Sequence, residues 1–222
     1  MVENFEKFII VTGHFGTGKT NLALNIAMDL KKLSRKVAIV DFDTVNPYFR
    51  TSDNKEMLME QGIDVIVSPY ANTNVDIPAI PAEINSVFAL DYDNVIFDVG
   101  GDDDGAVALG TLYRFFKNVP ITMLCVINGR RPLISEPKYA AEMVRNIELA
   151  SRLCVTGLIN NTHLQLETDA ETVLESVEYA QKVSELSGKP VLMTAVYEPL
   201  CKELAKKVDG LYPVSIYAKQ IV

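Results

Sequence analysis

A chain of 222 residues, 48% hydrophobic and 23% charged, is long enough to bury one substantial core, so a single domain over residues 1–222 is expected. Its formal net charge of -8 disfavours nucleic-acid backbones and anionic lipid surfaces as partners. Met1 is followed by neither a basic leader nor an apolar run of about 18 residues, so no secretory signal or membrane span is expected, and the chain reads as soluble and cytoplasmic.

In chain order, apolar and β-branched runs occur at residues 8–11, 37–40, 63–67, 95–99, 121–127, 155–159 and 191–196, as buried parallel strands require. Between them, apolar residues recur three or four apart. Leu22, Ile26, Leu30 and Leu33 form one such face, and Val173, Val177, Ala180 and Leu186 another. This alternation predicts an α/β fold, doubly wound, with a mainly parallel sheet of about seven or eight strands flanked by helices. The three cysteines, Cys125, Cys154 and Cys201, show no C-x-x-C spacing, which fits a reduced compartment; Cys125 and Cys154 lie in apolar runs and read as core residues.

The first run leads into Gly13, His14, Phe15, Gly16, Thr17, Gly18, Lys19 and Thr20, a match to G-x-x-x-x-G-K-[ST] set between a strand and an amphipathic helix. Its glycines let backbone N–H groups turn inward around phosphate oxygens at a helix N-terminus. On this exposed loop Lys19 supplies charge to the terminal phosphates, and Thr20 a hydroxyl to Mg²⁺.

Acids follow at the ends of two later runs, where open α/β sheets bind their ligands. Asp41 and Asp43 close the second run; if the strand continues through both, their side chains share a face, one supporting the metal's water shell and the other orienting attacking water. After them, Asn46, Pro47, Tyr48, Phe49 and Arg50 stand in switch position, where Arg50 would meet phosphate or a partner unless the segment is simply a packed turn. Residues 68–81, with three prolines, are either a functional loop or a surface excursion. Asp98, followed by Val99, Gly100 and Gly101, has the form of a Walker B carboxylate running into a D-x-x-G switch. Asp102, Asp103 and Asp104 read as helix-capping acids.

With these elements in place, the chain resembles the MinD/ParA-like deviant P-loop ATPases over nearly its whole length. The matching segments are 13–20, Asp41 to Asp43, 98–101, the run Gly157, Leu158, Ile159, Asn160 and Asn161, and the late run Val196, Tyr197, Glu198, Pro199 and Leu200. The resemblance implies ATP and Mg²⁺ as cofactors. It places Lys19 and Thr20 on phosphate and metal, Asp43 on the hydrolytic water, and Asp41 and Asp98 on the metal's water shell. It further implies Asn161, with Asn160 as the alternative, on adenine, and Tyr197, Glu198 and Pro199 closing over the base.

One departure stands out, because His14 occupies the position of the family's signature lysine, which reaches across a nucleotide-dependent homodimer. The guanine-selecting N-K-x-D is also absent where Asn160, Asn161, Thr162 and His163 stand, which favours ATP over GTP. The last residues, 211–222, lack the basic amphipathic pattern of a membrane-targeting helix. The reading that follows is an ATP-hydrolysing switch acting on a client protein, with metalloenzyme or cofactor maturation as one setting. A small-molecule kinase or ligase like dethiobiotin synthetase and a non-hydrolysing nucleotide sensor are the alternatives.

Overall fold

The computed structural model describes residues 1–43, 51–67, 82–164 and 167–217. The segments Asn46 to Arg50 and 68–81, singled out above, therefore lie outside the described residues.

Eight strands form one sheet, every neighbouring pair of which is parallel. They are β1 (Phe8–Gly13), β2 (Val37–Phe42), β3 (Asp64–Val67), β4 (Asn94–Val99), β5 (Ile121–Ile127), β6 (Gly157–Asn160), β7 (Val191–Tyr197) and β8 (Leu211–Val214). Their spatial order is β3-β2-β4-β1-β5-β6-β7-β8, so the chain winds outward in one direction from β1 through β3 and in the other from β5 to β8. All six residues of β1, of β2 and of β4 are buried, which is why each appears in the sequence as an unbroken apolar run.

Alternate residues of these strands serve two cores. Phe8, Ile10, Val40 and Phe97 face one layer, with Leu109 from α4 (Asp102–Thr111), Val144 from α6 (Pro137–Ser151) and Val183 from α7 (Ala170–Ser187). Ile9, Val11, Ile39 and Ile96 face the other, with Leu22, Ile26 and Leu30 from the helix Lys19–Lys32 and Leu58 from Lys55–Glu60. In chain order these last two are α1 and α2, with Ala82–Ser86 as α3, Tyr113–Phe116 as α5 and Cys201–Leu204 as α8.

Several local expectations are corrected. Leu33 is the exposed C-cap of α1; α7 buries Val173, Ser176, Ala180 and Val183, leaving Val177 and Leu186 outside. Cys125 is buried in β5, but Cys154 is exposed, because the chain before β6 is extended and alternates in burial from Leu153 to Gly157. The capping position of α4 falls on Gly101, with Asp102 already helical. β8 is a short edge strand whose exposed Pro213 forfeits no interior ladder bond, and it reads weakly in sequence for that reason.

Candidate functional site

A cavity of about 300 Å³ opens at the carboxyl ends of the strands. Phe15, Gly16, Gly18, Lys19, Thr20 and Asn21 form its floor, all from the loop and helix that follow β1. Asp43 enters from beyond β2, Arg131 from beyond β5, and Asn161, Thr162 and His163 from beyond β6. The far wall is more apolar and contains Val173, Ala195, Tyr197, Val214 and Ile216.

The loop takes its shape from contacts only glycine permits. Gly13 has φ +140 and is pressed against the Val126 carbonyl of β5, so a side chain there would displace the sheet. Within the loop, Thr17 N and Thr17 Oγ1 both donate to the His14 carbonyl, at 3.3 and 2.9 Å. Lys19 Nζ donates to the same oxygen at 3.1 Å. Lys19 is 7% exposed, so the lysine expected on an exposed loop is instead folded into it. The His14 ring, with Nδ1 as the donor, bonds the Phe15 carbonyl at 2.9 Å. Phe15 itself is 51% exposed.

Beneath the loop, Asp41 and Asp98 stand in register on neighbouring strands, both buried. Thr20 and Thr51 donate hydrogen bonds to Asp98, the latter to Oδ2 at 2.9 Å. Burial first, then the adjacent Asp41 charge, pushes the Asp98 carboxyl up to about 7, against the two hydroxyls and Lys19. The expected same-face pairing of Asp41 with Asp43 does not occur, because β2 ends at Phe42. Asp43 turns its N–H back to Asp41 Oδ1 at 3.3 Å and takes its carboxylate to the cavity.

The Gly100 and Gly101 pair closes this side. A Cβ on Gly100 would lie 2.7 Å from Asp43 Oδ1, and one on Gly101 would lie 2.7 Å from Phe15 N and 3.2 Å from Lys19 Nζ. The D-x-x-G segment, Asp43 and the phosphate-type loop are thus in mutual contact.

At the other end, Asn161 Nδ2 donates to the Thr17 carbonyl at 2.7 Å, bracing the loop from β6. Asn160 is buried and occupied with Ser176 Oγ and Thr162 Oγ1, both at 2.8 Å, which leaves Asn161 as the residue at the cavity. Tyr197 lines the cavity; Glu198 and Pro199 do not, and Glu198 accepts a bond from Ser215 Oγ at 3.1 Å. His163 is held down at about 4 by burial and, secondarily, by the Arg131 guanidinium, so its imidazole is neutral at pH 7.

Sequence reasoning did not find Thr51, Arg131 or His163 as site residues. Arg131 follows a buried strand at the same sheet edge as Asp43, and a strand-end pattern that reads acids alone does not mark it. Thr51 has no local signal, because only the fold brings it to Asp98.

No protein-family model and no curated protein sequence matches the chain. Solved structures do. The signal recognition particle receptor FtsY from Elizabethkingia anophelis in complex with GDP is 21% identical at a TM-score of 0.57, over 86% of this chain and 57% of that one. Chloroplast FtsY from Physcomitrella patens is 17% identical at 0.58, over 85% and 58%. The signal recognition particle 54 kDa protein from Aeropyrum pernix, in complex with GDP, is 16% identical at 0.57, over 86% and 41%. The chain therefore has the P-loop NTPase fold, and it spans between 41% and 58% of the length of these three proteins.

Proposed function

We propose that the chain is a Mg²⁺-dependent, ATP-binding and ATP-hydrolysing switch protein of the MinD/ParA-like type. The observation that carries this reading is the convergence of Lys19, Asp43 and the Gly100 and Gly101 pair on one phosphate-type loop, directly above the Thr20, Asp41 and Asp98 cluster.

The donor set suits a divalent cation. Two buried carboxylates stand side by side with two threonine hydroxyls bonded to one of them, and their mutual repulsion is what a cation relieves. Thr20, Asp41 and Asp98 would hold it, the acids acting through its water shell. Bound Mg²⁺ supplies neutralisation of the terminal phosphate charge. Lys19, already against Gly101, contributes a fixed positive charge, the N–H groups of Gly16 and Gly18 cradle oxygens, and the Asp43 carboxylate orients the attacking water.

Adenine suits the far end. Among the described lining residues Asp43 is the only carboxylate, and it sits at the phosphate side, so guanine would lack an acidic acceptor for its N1–H and amine. Asn161, Thr162, neutral His163, Thr168 and Tyr197 are the polar lining residues on the β6 to β7 side of the cavity. Exposed Phe15, on the loop that touches Gly101, supplies a surface through which a client protein would read the nucleotide state.

The test is titration with ATP and GTP in Mg²⁺, together with phosphate release in the absence of any acceptor. Lys19→Ala should weaken ATP binding by about a hundredfold or more without loss of fold, and Asp43→Asn should lower turnover by about a hundredfold with affinity kept. Undiminished affinity in Lys19→Ala sinks the assignment, a GTP preference overturns the base reading, and acceptor-dependent ADP formation replaces the switch with a kinase.

A further inference from the structure

Arg131 lies in the turn between β5 and the 3-10 segment Pro132–Ile134, and its guanidinium lies across Gly16. A Cβ on Gly16 would be 3.0 Å from its Cζ, 3.2 Å from Nε and 3.3 Å from Nη1. The same guanidinium acts on His163, whose Nε2 would be 3.2 Å from a Cβ on Gly18. Arg131 therefore runs along the phosphate-type loop on the wall of the cavity, away from Lys19 Nζ, which lies by Gly101.

Its Nε is buried and has no hydrogen-bond partner among the described residues. The neighbouring Arg130 shows the ordinary alternative, pairing at the surface with Glu175 Oε2 at 2.6 Å. A desolvated guanidinium N–H without an acceptor is unfavourable, and guanidinium can neither accept a bond nor give up its charge to escape the penalty. Of the described groups, Gly16 lies against it and His163 feels its charge, and neither is anionic. An anion in the cavity would supply the acceptor that the protein withholds.

We infer that Arg131 is a phosphate-binding residue contributed by the chain itself, its guanidinium turning off Gly16 to donate N–H groups as a fork to oxygens of the nucleotide's phosphate chain. The inference rests on the nucleotide-binding reading above and extends it. It gives the site a second cation, geometrically independent of Lys19 and matched to phosphate by its planar fork.

The test compares wild type, Arg131→Ala, Arg131→Lys and Lys19→Ala by titration with ATP, ADP and adenosine in Mg²⁺. Arg131→Ala should weaken ATP and ADP by on the order of tenfold to a hundredfold, as loss of a charged hydrogen bond does, and leave adenosine unchanged. Arg131→Lys should recover only part of the loss, since an ammonium keeps the charge but not the fork. If the alanine variant does not fold, Arg131→Gln is read in the same way. Wild-type affinity for ATP and ADP in Arg131→Ala, with binding lost in Lys19→Ala, overturns the arginine's role and leaves the loop assignment standing. Equal losses for adenosine and ATP would make Arg131 a brace for the loop and also overturn the inference. Undiminished binding in Lys19→Ala would remove both readings together.

Discussion

Replacing Gly101 by alanine puts a methyl carbon 2.7 Å from Phe15 N and 2.9 Å from Phe15 Cα, where ordinary contact begins at 3.4 Å. The backbone torsions at Gly101, φ -71 and ψ 162, suit alanine, so the effect is one of approach rather than conformational strain. Because the obstacle is backbone, the switch segment and the phosphate loop must separate by about 0.7 Å, the difference between 3.4 and 2.7 Å. Overpacking of this kind costs about 1–3 kcal/mol. For a chain of this size, that is about 2–4 °C of melting temperature per kcal/mol. A misplacement approaching ~1 Å at a reacting centre lowers turnover by about a hundredfold, so a loss of tenfold to a hundredfold is expected. Gly100→Ala is the contrast, since its methyl would meet Asp43 Oδ1 at 2.7 Å, the movable end of a side chain. It should lower turnover by displacing that carboxylate while leaving the melting temperature and ATP affinity close to wild type. Calorimetric melting and phosphate-release kinetics on both variants decide the matter. Wild-type melting and turnover in Gly101→Ala would refute the claimed contact between switch and loop.

Two further outcomes are expected. Because His163 titrates near 4 when folded and near 6.5 when free, the unfolded chain binds the extra proton between those values, and stability falls as pH drops through that window. At 1.36 kcal/mol per unit the loss is at most about 3 kcal/mol, absent above pH 6.5 and complete towards pH 4; denaturant unfolding should show wild type losing stability relative to His163→Gln across that window, and parallel curves would reject it. His14→Lys should strengthen ATP-dependent self-association, since lysine is longer than imidazole and permanently charged at pH 7; sedimentation with a non-hydrolysable ATP analogue and Mg²⁺ would show a dimer no tighter than wild type if the cross-dimer contact does not exist.

How much of this was legible in the sequence depended on where each signal was stored. The phosphate-type loop is contiguous, so its spacing carries both its shape and its place between β1 and α1. Strands buried on both faces write unbroken apolar runs, whereas β8, a four-residue edge strand containing Pro213, writes almost none. Asp41, Asp43 and Asp98 could be found because acids at strand ends are conspicuous, but where β2 stops is a matter of backbone pairing, and this separated Asp43 from Asp41. Thr51 bonding Asp98 and Arg131 crossing Gly16 are long-range juxtapositions that no local pattern records. Helical spacing predicted the existence of α7 yet misplaced part of its buried face, since Ser176 packs inward while Val177 and Leu186 do not.

The two ends of the cavity are tied to the same helix, and this bears on what can move. Asn21 and Asn25 of α1 clasp the segment after β8: their amides donate to the Ser215 carbonyl at 3.0 and 2.8 Å, and their side-chain oxygens accept from Tyr217 N and Ser215 N, both at 2.8 Å. That segment carries Ile216 on the apolar wall, while the first turn of α1 carries Lys19 and Thr20. Asn161 adds a third tie, from β6 to the loop at Thr17. Wall, helix and loop thus form one braced body, with its polar links saturated by side-chain amides. Gly100 and Gly101 meet that body differently, by the close approach of backbone to Phe15 and of glycine to the Asp43 carboxylate. A contact made by steric fit opens with a small displacement, whereas a clasp of four hydrogen bonds must break before it moves. In a nucleotide-driven cycle, Gly100 and Gly101 are therefore the backbone poised to shift toward a bound phosphate, while the apolar wall stays fixed to α1. Hydrogen exchange with and without a non-hydrolysable ATP analogue should change at Gly100 and Gly101 and be nearly constant at Ser215 and Tyr217. The reverse pattern would place the moving element at the base.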